Sequence, residues 1–527
     1  MQLRSSERPW YLSLGLVVLS SLLFAASFPH PLAPQGWGFL AFFAYTPLFF
    51  IIRTSSLPQS LAWGALHGLF SYGLLTFWLG NYNLLALLVV LLFFAFWHAL
   101  LALMLHFIFK RAGSWSLWPA AFVFVFWEFA FSQGFTGFSY GILGHTQAFS
   151  SIMIQGASVG GVWIVSFLVA LPSILLAQLN WSKPWPLHFT QKWNFALYGL
   201  LFLLNLGFGI SQLEDFGNFD QWKPALIQHN LDPWKGGYAN YRVGLDRLIN
   251  LSEKALVHNP DAVIWSETAF VPAITYHERY RDVPQALTQI RLLKSFLSLH
   301  AVPFILGNSH SEKIQQNGRQ VRGDWNSALY FQKGELQGLY RKVHLVPFTE
   351  HFPFKDAFPG IYQFLLDQDT HYWEAGTDFS PINLNGLMIG TPICFEDSFG
   401  YISRNFVLQG AQVLVNLTND SWSGSRVAMD QHLASAIFRS VENHRSLVRA
   451  SNGGLTASID PVGRLLSTLE PFTEDVLFAQ VPLVQDTKTV YTQWGDWFPW
   501  ACLMLLTLSW VILGFIYLKT LKPKLTD

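Results

Sequence analysis

Apolar residues in this chain gather in long runs at the front, break into short runs in the middle and gather again at the end. Eight stretches predict helices that cross a bilayer: about 11–28, 37–52, 61–79, 84–109, 117–131, 157–179, 194–212 and 498–518. A crossing takes roughly 20 apolar residues at about 1.5 Å each. Leu84 to Phe109 is the cleanest run, free of Lys, Arg, Asp and Glu, whereas 117–131 is short and contains Glu128. Between about 213 and 490 the pattern changes. Short runs rich in β-branched residues, Ala225–Gln228, Ala262–Trp265, Val302–Leu306, Leu387–Gly390 and Val413–Asn416, predict buried strands. Tyr241–His258 and Val283–Leu299 carry helical periodicity between them. Strands alternating with helices predict layered sheets with helices outside. The expected organisation is 1–212, about seven membrane helices; 213–490, an α/β domain; and 491–527, one closing membrane helix with a cytoplasmic tail.

Composition agrees with this division. Hydrophobic residues make up 51% of the 527 positions and charged residues 13%, against about 25% charged in an average protein. That balance excludes intrinsic disorder. Two cysteines, Cys394 and Cys502, exclude a disulfide scaffold and a cysteine-rich zinc site. Lys and Arg number 33, as do Asp and Glu, so a globally basic nucleic-acid binder is excluded and no nucleic-acid partner is expected.

The basic residues also orient the chain. Arg4 and Arg8 precede the first run, and Arg53 follows the second. Lys110 and Arg111 follow the fourth, Lys183 and Lys192 the sixth, and Lys519, Lys522 and Lys524 the eighth. The loops after the first, third and fifth runs hold no Lys or Arg. Basic loops stay on the cytoplasmic side, so the N-terminus is expected inside and the α/β domain outside. The first run, ending in Ala25-Ala-Ser27, also has the form of a signal peptide. Its removal would leave the orientation of the rest unchanged.

Chemistry is expected where strands end. Ala262-Val-Ile-Trp-Ser-Glu267 places a carboxylate just beyond a buried run. Tyr340-Arg-Lys342-Val-His-Leu345 alternates as a strand with one wet face would. Gly390-Thr-Pro-Ile-Cys394-Phe-Glu396-Asp397 places a cysteine where a strand gives way to acidic residues. A thiol of pKa about 8.5 is little ionised at neutral pH, and neighbouring carboxylates oppose ionisation further. Such a cysteine needs a base for its proton and a cation for its anion. Glu267 and Lys342 are candidates, although spacing along the chain does not bring them together.

Taken together these segments resemble the nitrilase superfamily, and with the membrane runs the chain is similar to bacterial apolipoprotein N-acyltransferases. The resemblance rests on Ile264-Trp-Ser-Glu267-Thr, Tyr340-x-Lys342-x-His-Leu-Val-Pro-Phe-x-Glu350, Pro392-Ile-Cys394-Phe-Glu396, Asn416-x-Thr-Asn419-Asp420-x-Trp422, Arg439-x-Val-Glu442-x-x-Arg445 and Val448-Arg-Ala-x-Asn452-x-Gly454, in that order. Phe395 stands where the family often has Tyr, Ser421 where it prefers a smaller residue, and Ser139 where Pro is expected.

The resemblance implies an αββα sandwich beside a multi-span helical domain. It implies a Glu267–Lys342–Cys394 triad and two acyl transfers. The Cys394 thiolate takes an acyl chain from a phospholipid, and the thioester passes it to the N-terminal α-amino group of a diacylated apolipoprotein. Glu267 would act as base and then acid. Lys342 and the Phe395 backbone N–H would stabilise the oxyanion. Glu350 would hold Lys342 and position substrate, Glu396 would orient active-site groups, and Trp234 would line the path of the lipid. No cofactor and no metal is expected. The partners are the phospholipid donor, the diacylated apolipoprotein and the bilayer, at the bacterial inner membrane with the catalytic domain on the periplasmic side.

Two other readings stay open. One is a membrane-tethered amidase that releases its acyl group to water. The other is a transporter or receptor with an inactive enzyme-like domain. Gly137-Phe-Ser139-Tyr-Gly141 fits the serine-hydrolase elbow only in a strand–turn–helix setting. Glu128, near the outer end of its run, reads equally as a functional group and as an interfacial carboxylate.

Overall fold

Apolar runs become straight helices only where glycine and proline allow it. The computed structural model describes residues 8–181, 187–316, 318–355, 357–366, 372–484 and 487–521. Arg4, Lys183, Lys522 and Lys524, invoked above for orientation, lie outside the described residues. The chain divides into two units, Met1–Leu213 with Trp494–Asp527, and Glu214–Gln493.

Helices dominate the first unit: Trp10–Ser27, Thr46–Thr54, Leu57–Leu75, Leu84–Ala112, Leu117–Phe131, Val162–Ala177, Phe189–Gln212 and Trp497–Leu521. Trp10–Ser27, Leu84–Ala112 and Phe189–Gln212 are long and apolar enough to cross a membrane. Three expected spans are broken, the 61–79 run ending its helix at Leu75 with a separate short helix from Leu79. The 37–52 run is a short turn and helix to Ala44, then a new helix from Thr46. Pro47 brings no N–H to the new helix, and the Tyr45 N–H is taken by the Ser173 hydroxyl at 3.2 Å. The 157–179 run breaks at Gly161, whose φ of 70° suits glycine. Along Leu84–Ala112 the exposed side chains include Leu85, Leu88, Leu92 and Phe96. That spacing makes one apolar face, which water does not satisfy and lipid does.

Polar contacts tie several ends of this unit together. Arg8 donates to the Thr54 hydroxyl at 3.0 Å, Arg53 donates to the Leu179 carbonyl at 3.2 Å, and the Arg111 guanidinium lies 5.8 Å from the Trp510 ring. Glu128 is not an interfacial carboxylate. It is fully buried, and its Oε1 accepts the Leu143 N–H at 2.7 Å. The Gly137–Gly141 segment is a loop after helix Leu117–Phe131 with no strand before it, so the serine-elbow setting is missing.

The second unit contains β1 (Gln221–Trp222), β2 (Pro224–Gln228), β3 (Ala262–Trp265), β4 (Phe304–Gln316), β5 (Arg319–Gln332), β6 (Glu335–Arg341), β7 (Ile382–Leu384), β8 (Leu387–Gly390), β9 (Val413–Thr418), β10 (Leu447–Ser451), β11 (Ala457–Ile459), β12 (Leu465–Thr468), β13 (Asp475–Phe478) and β14 (Val481–Pro482). One six-stranded sheet runs β13-β2-β3-β4-β5-β6, another β12-β11-β10-β9-β8-β7, and β1 pairs with β14. In each sheet the central neighbours are parallel, β2 with β3 and β9 with β10. Parallel strands are covered on both faces, and β2, β3, β9 and β10 are buried throughout. β3 accordingly reads as an unbroken apolar run, whereas β9 and β10 carry buried polar groups, Asn416, Thr418 and Arg449. The sheets meet through β10 against β2 and β3. Helices Tyr238–Leu256 and Pro284–Ser298 cover the first sheet, and Gly400–Leu408 and Arg426–Asn443 the second, which gives the expected αββα order.

The β4–β5 hairpin is longer than the apolar run predicted. Its pairing continues from Phe304↔Phe331 out to Gln316↔Arg319. Its outer half is largely polar, so the hydrophobic pattern does not reveal it. At its base, Gly307 leaves room for the turn after β3: a Cβ there would lie 2.1 Å from the Ser266 carbonyl oxygen and 2.7 Å from the Glu267 Cα. Gly307→Val is therefore expected to displace Glu267 and to cost about 1–3 kcal/mol from overpacking. A lower melting temperature together with lost activity would confirm this; an unchanged melt would contradict it.

Candidate active site

Glu267 follows β3 by two residues, in a turn where Thr268 has φ 44°. Asn308 on β4 fixes this turn by donating to the Phe270 and Pro272 carbonyls at 2.5 and 3.0 Å. Lys342 lies one residue beyond β6. The expected strand through Leu345 stops at Arg341 because, after the Lys342 N–H reaches the Asn326 carbonyl at 2.8 Å, Glu396 takes those of Val343 and His344 at 2.7 and 2.9 Å.

These residues converge. The Lys342 ammonium is fully buried and donates to Glu350 Oε1 at 2.8 Å and to Glu267 Oε1 at 3.5 Å. Asn326 on β5 donates to Glu267 Oε1 at 2.7 Å and to Glu350 Oε1 at 3.5 Å. The second Glu350 oxygen accepts the Val346 N–H at 2.8 Å. Burial opposes the charge on Lys342, yet Glu350 and Glu267 hold it above the ordinary lysine range. Burial pushes the Glu267 carboxyl up, against the pull of Lys342. A carboxyl shifted this way takes up a proton more readily near neutral pH.

Cys394 approaches from the other sheet. It begins the turn Cys394–Ser398 beyond β8, with φ 51°, a conformation that side chains other than glycine's adopt at a cost. Asn416 on β9 donates to the Cys394 carbonyl at 3.2 Å. Glu267 and Lys342 both act electrostatically on the thiol. Burial raises its pKa well above the ordinary cysteine value; Glu267 adds to this and Lys342 opposes it. The resting group is therefore a thiol, with a carboxylate in place to take its proton.

Glu396 acts at one remove. Its buried carboxylate accepts from Tyr340, Val343, His344 and Ile393, so it joins the loop after Lys342 to the turn of Cys394. Burial pushes it up to about 7 while these donors work the other way. The Phe395 ring packs edge-on against Phe399 at 4.9 Å. Trp234 stands between β2 and the helix Tyr238–Leu256, 65% exposed, and its backbone N–H donates to Asp232 Oδ1 at 3.0 Å. Among the described residues, no cluster of three or more His, Cys, Asp or Glu could hold a metal ion.

Sequence reasoning missed two parts of this site. Asn326 precedes the apolar stretch Ala328–Phe331, which marks the inner half of β5 and could have revealed it. The second is an ionic cluster behind Cys394. Asp397 accepts from His432 at 2.6 Å and from Arg449. Asp420 accepts from His432 at 2.9 Å and from Arg449 at 2.6 Å. All four residues are buried. Nothing local in the sequence marks His432, which sits mid-helix.

Comparison with known proteins fits this architecture. Residues 225–489 match the family model of carbon-nitrogen hydrolases, so the catalytic unit is of that class. Residues 20–175 match the N-terminal domain of apolipoprotein N-acyltransferases. Apolipoprotein N-acyltransferase 1 of Treponema denticola is 38% identical, over 94% of this chain and 95% of its own. That of Treponema pallidum is 40% identical, over 91% and 92%, and the apolipoprotein N-acyltransferase of Geobacter metallireducens is 30% identical, over 92% of each. The chain belongs to the apolipoprotein N-acyltransferase family and is a membrane acyltransferase.

Two expectations follow. Asn326→Ala removes a hydrogen bond to a charged partner, worth about 1.5–3 kcal/mol; turnover in an acyl-transfer assay should fall roughly ten- to hundredfold, and undiminished turnover would remove Asn326 from the site. His432 titrates near 9 when folded, against 6.5 unperturbed: burial and Arg449 lower its pKa, but Asp397 and Asp420 raise it further. Its contribution to stability is therefore complete below about 6.5 and lost as pH rises through about 9. Melting temperature should fall across that window, and His432→Gln should flatten the fall.

Proposed function

We propose that Cys394 carries an acyl chain from a membrane phospholipid to the N-terminal α-amino group of a diacylated apolipoprotein, in two balanced steps. In the first, Glu267 takes the thiol proton as sulfur attacks the ester carbonyl; the C–O bond breaks, and the leaving alkoxide receives that proton. In the second, the amine attacks the thioester and Glu267 takes a proton from nitrogen. The C–S bond breaks, its electron pair stays on sulfur, and sulfur is reprotonated as the amide leaves. Lys342 and the Phe395 N–H stabilise the oxyanion in both steps. Glu350 holds Lys342, Glu396 fixes the two loops, and Trp234 meets lipid. The observation that supports this reading is that Lys342 bridges Glu267 and Glu350 on the first sheet, while the charges of Glu267 and Lys342 act on the Cys394 thiol from the second.

Two features favour transfer over release to water. The membrane domain of this family accompanies the catalytic unit, and both substrates carry chains held in lipid by about 0.8 kcal/mol per CH₂. The intact polar cluster speaks against an inactive domain. We further infer that the unit lies on the periplasmic side of the inner membrane in a multi-pass chain. Contacts from Arg8 and Arg53 between segment ends support that reading.

Incubation with phospholipid and a diacylated lipopeptide should yield a triacylated peptide and lyso-lipid. Glu267→Gln, Lys342→Met and Cys394→Ala should each lower the rate at least about a thousandfold. Free fatty acid as the sole product would favour the amidase-like reading. For orientation, a membrane-impermeant maleimide should label Trp234→Cys, but not Lys110→Cys, in intact spheroplasts of a Cys394→Ala strain; the reverse would invert the topology.

A further inference from the structure

The catalytic steps above leave the buried ionic cluster without a part. Its path to the nucleophile runs through one amide. Asn416 on β9 and Arg449 on β10 are register partners in a parallel pair, and both are fully buried. Arg449 Nη1 donates to Asn416 Oδ1 at 3.1 Å. Asn416 Nδ2 donates to the Cys394 and Pro392 carbonyls, each at 3.2 Å. A guanidinium only donates and a carbonyl only accepts, so these neighbours permit the Asn416 amide one orientation.

Arg449 is itself fixed. It pairs with Asp397 and, through Nη2, with Asp420 at 2.6 Å, and His432 ties those two carboxylates together. Asp397 lies within the Cys394–Ser398 turn, so the cluster holds that turn at two points, directly at Asp397 and through Asn416 at the Cys394 carbonyl. The consequence follows from peptide geometry. In a trans peptide the C=O of one residue and the N–H of the next lie in one plane and point in opposite directions. The bond from Asn416 draws the Cys394 carbonyl toward β9 and so aims the Phe395 N–H away from that strand. A hydrogen bond accepted by the carbonyl also polarises the N–H across the peptide.

We propose that Asn416 is a positioning residue of the oxyanion hole, which holds the Cys394–Phe395 peptide with its N–H aimed at the tetrahedral oxygen, and that Arg449 is the residue that holds Asn416. That oxygen is negative at two moments. The first follows addition of sulfur to the ester carbonyl, and the second follows addition of the amine to the thioester. Each adduct collapses when the oxygen's electron pair re-forms C=O and the C–O or C–S bond breaks; no proton passes through the Asn416 amide. This inference rests on the reading of Cys394 as nucleophile and of the Phe395 N–H as oxyanion donor.

The test uses the full chain in detergent micelles, with Asn416→Leu, which keeps the volume without the N–H, and Asn416→Ala. Mass spectrometry of the Cys394 peptide reads two rates. Alkylation by iodoacetamide is displacement at a saturated carbon and forms no oxyanion; acylation by added phospholipid forms one. In both chains the ratio of maximal single-turnover acylation to alkylation should fall about ten- to hundredfold, somewhat less than removal of an oxyanion donor outright. The phospholipid concentration giving half that rate should stay where it was. A ratio that does not change, whether both rates hold or both collapse together in a displaced or unfolded turn, overturns the role of Asn416. Product formed by the unaltered chain with no acyl gain on Cys394 is a separate outcome, and it is the nucleophile reading that then fails.

Discussion

A lysine ammonium removed from water is costly unless anions meet it. Lys342 is met by two, Glu350 and Glu267, and much of the catalytic unit follows from placing those three groups together. The carboxylate of Glu267 stays near the ammonium only because Gly307 and Asn308 on the next strand shape its turn. Lys342 stays beneath it because β6 ends where Glu396 takes over the backbone.

The sulfur belongs to a separate sheet, so the site exists only when the sandwich is closed. Glu267, Asn326 and Lys342 come from the first sheet and its loops; Cys394 and Asn416 come from the second. Glu396 bridges them, since it begins within the turn of Cys394 and ends on Tyr340 and the loop beyond it. This division separates proton handling, on one sheet, from nucleophile support, on the other. It also keeps the resting thiol protonated, because burial and Glu267 both disfavour its anion.

The sequence was most legible where both faces of an element are buried. β3, buried throughout, occupies the position its apolar run predicts, and the largely buried helix Leu117–Phe131 coincides with its run. Where one end of an element meets water the reading failed: the polar half of β4–β5 gave no hydrophobic signal. Backbone breaks at Tyr45 and Gly161 were invisible to a count of apolar residues, since each depends on a single proline or glycine inside a greasy run. The order of Glu267, Lys342 and Cys394 along the chain was readable; their meeting in space was not. The Asp397–His432–Asp420–Arg449 cluster joins four separate segments, and no local pattern announces such a contact.

The central claim is a covalent acyl group on one sulfur. Mass spectrometry of the Cys394 peptide after incubation with phospholipid alone tests it most directly. The account predicts a gain of one acyl chain on Cys394, removed by adding a lipopeptide amine. A thiol that stays unmodified while the preparation actively forms product would contradict it.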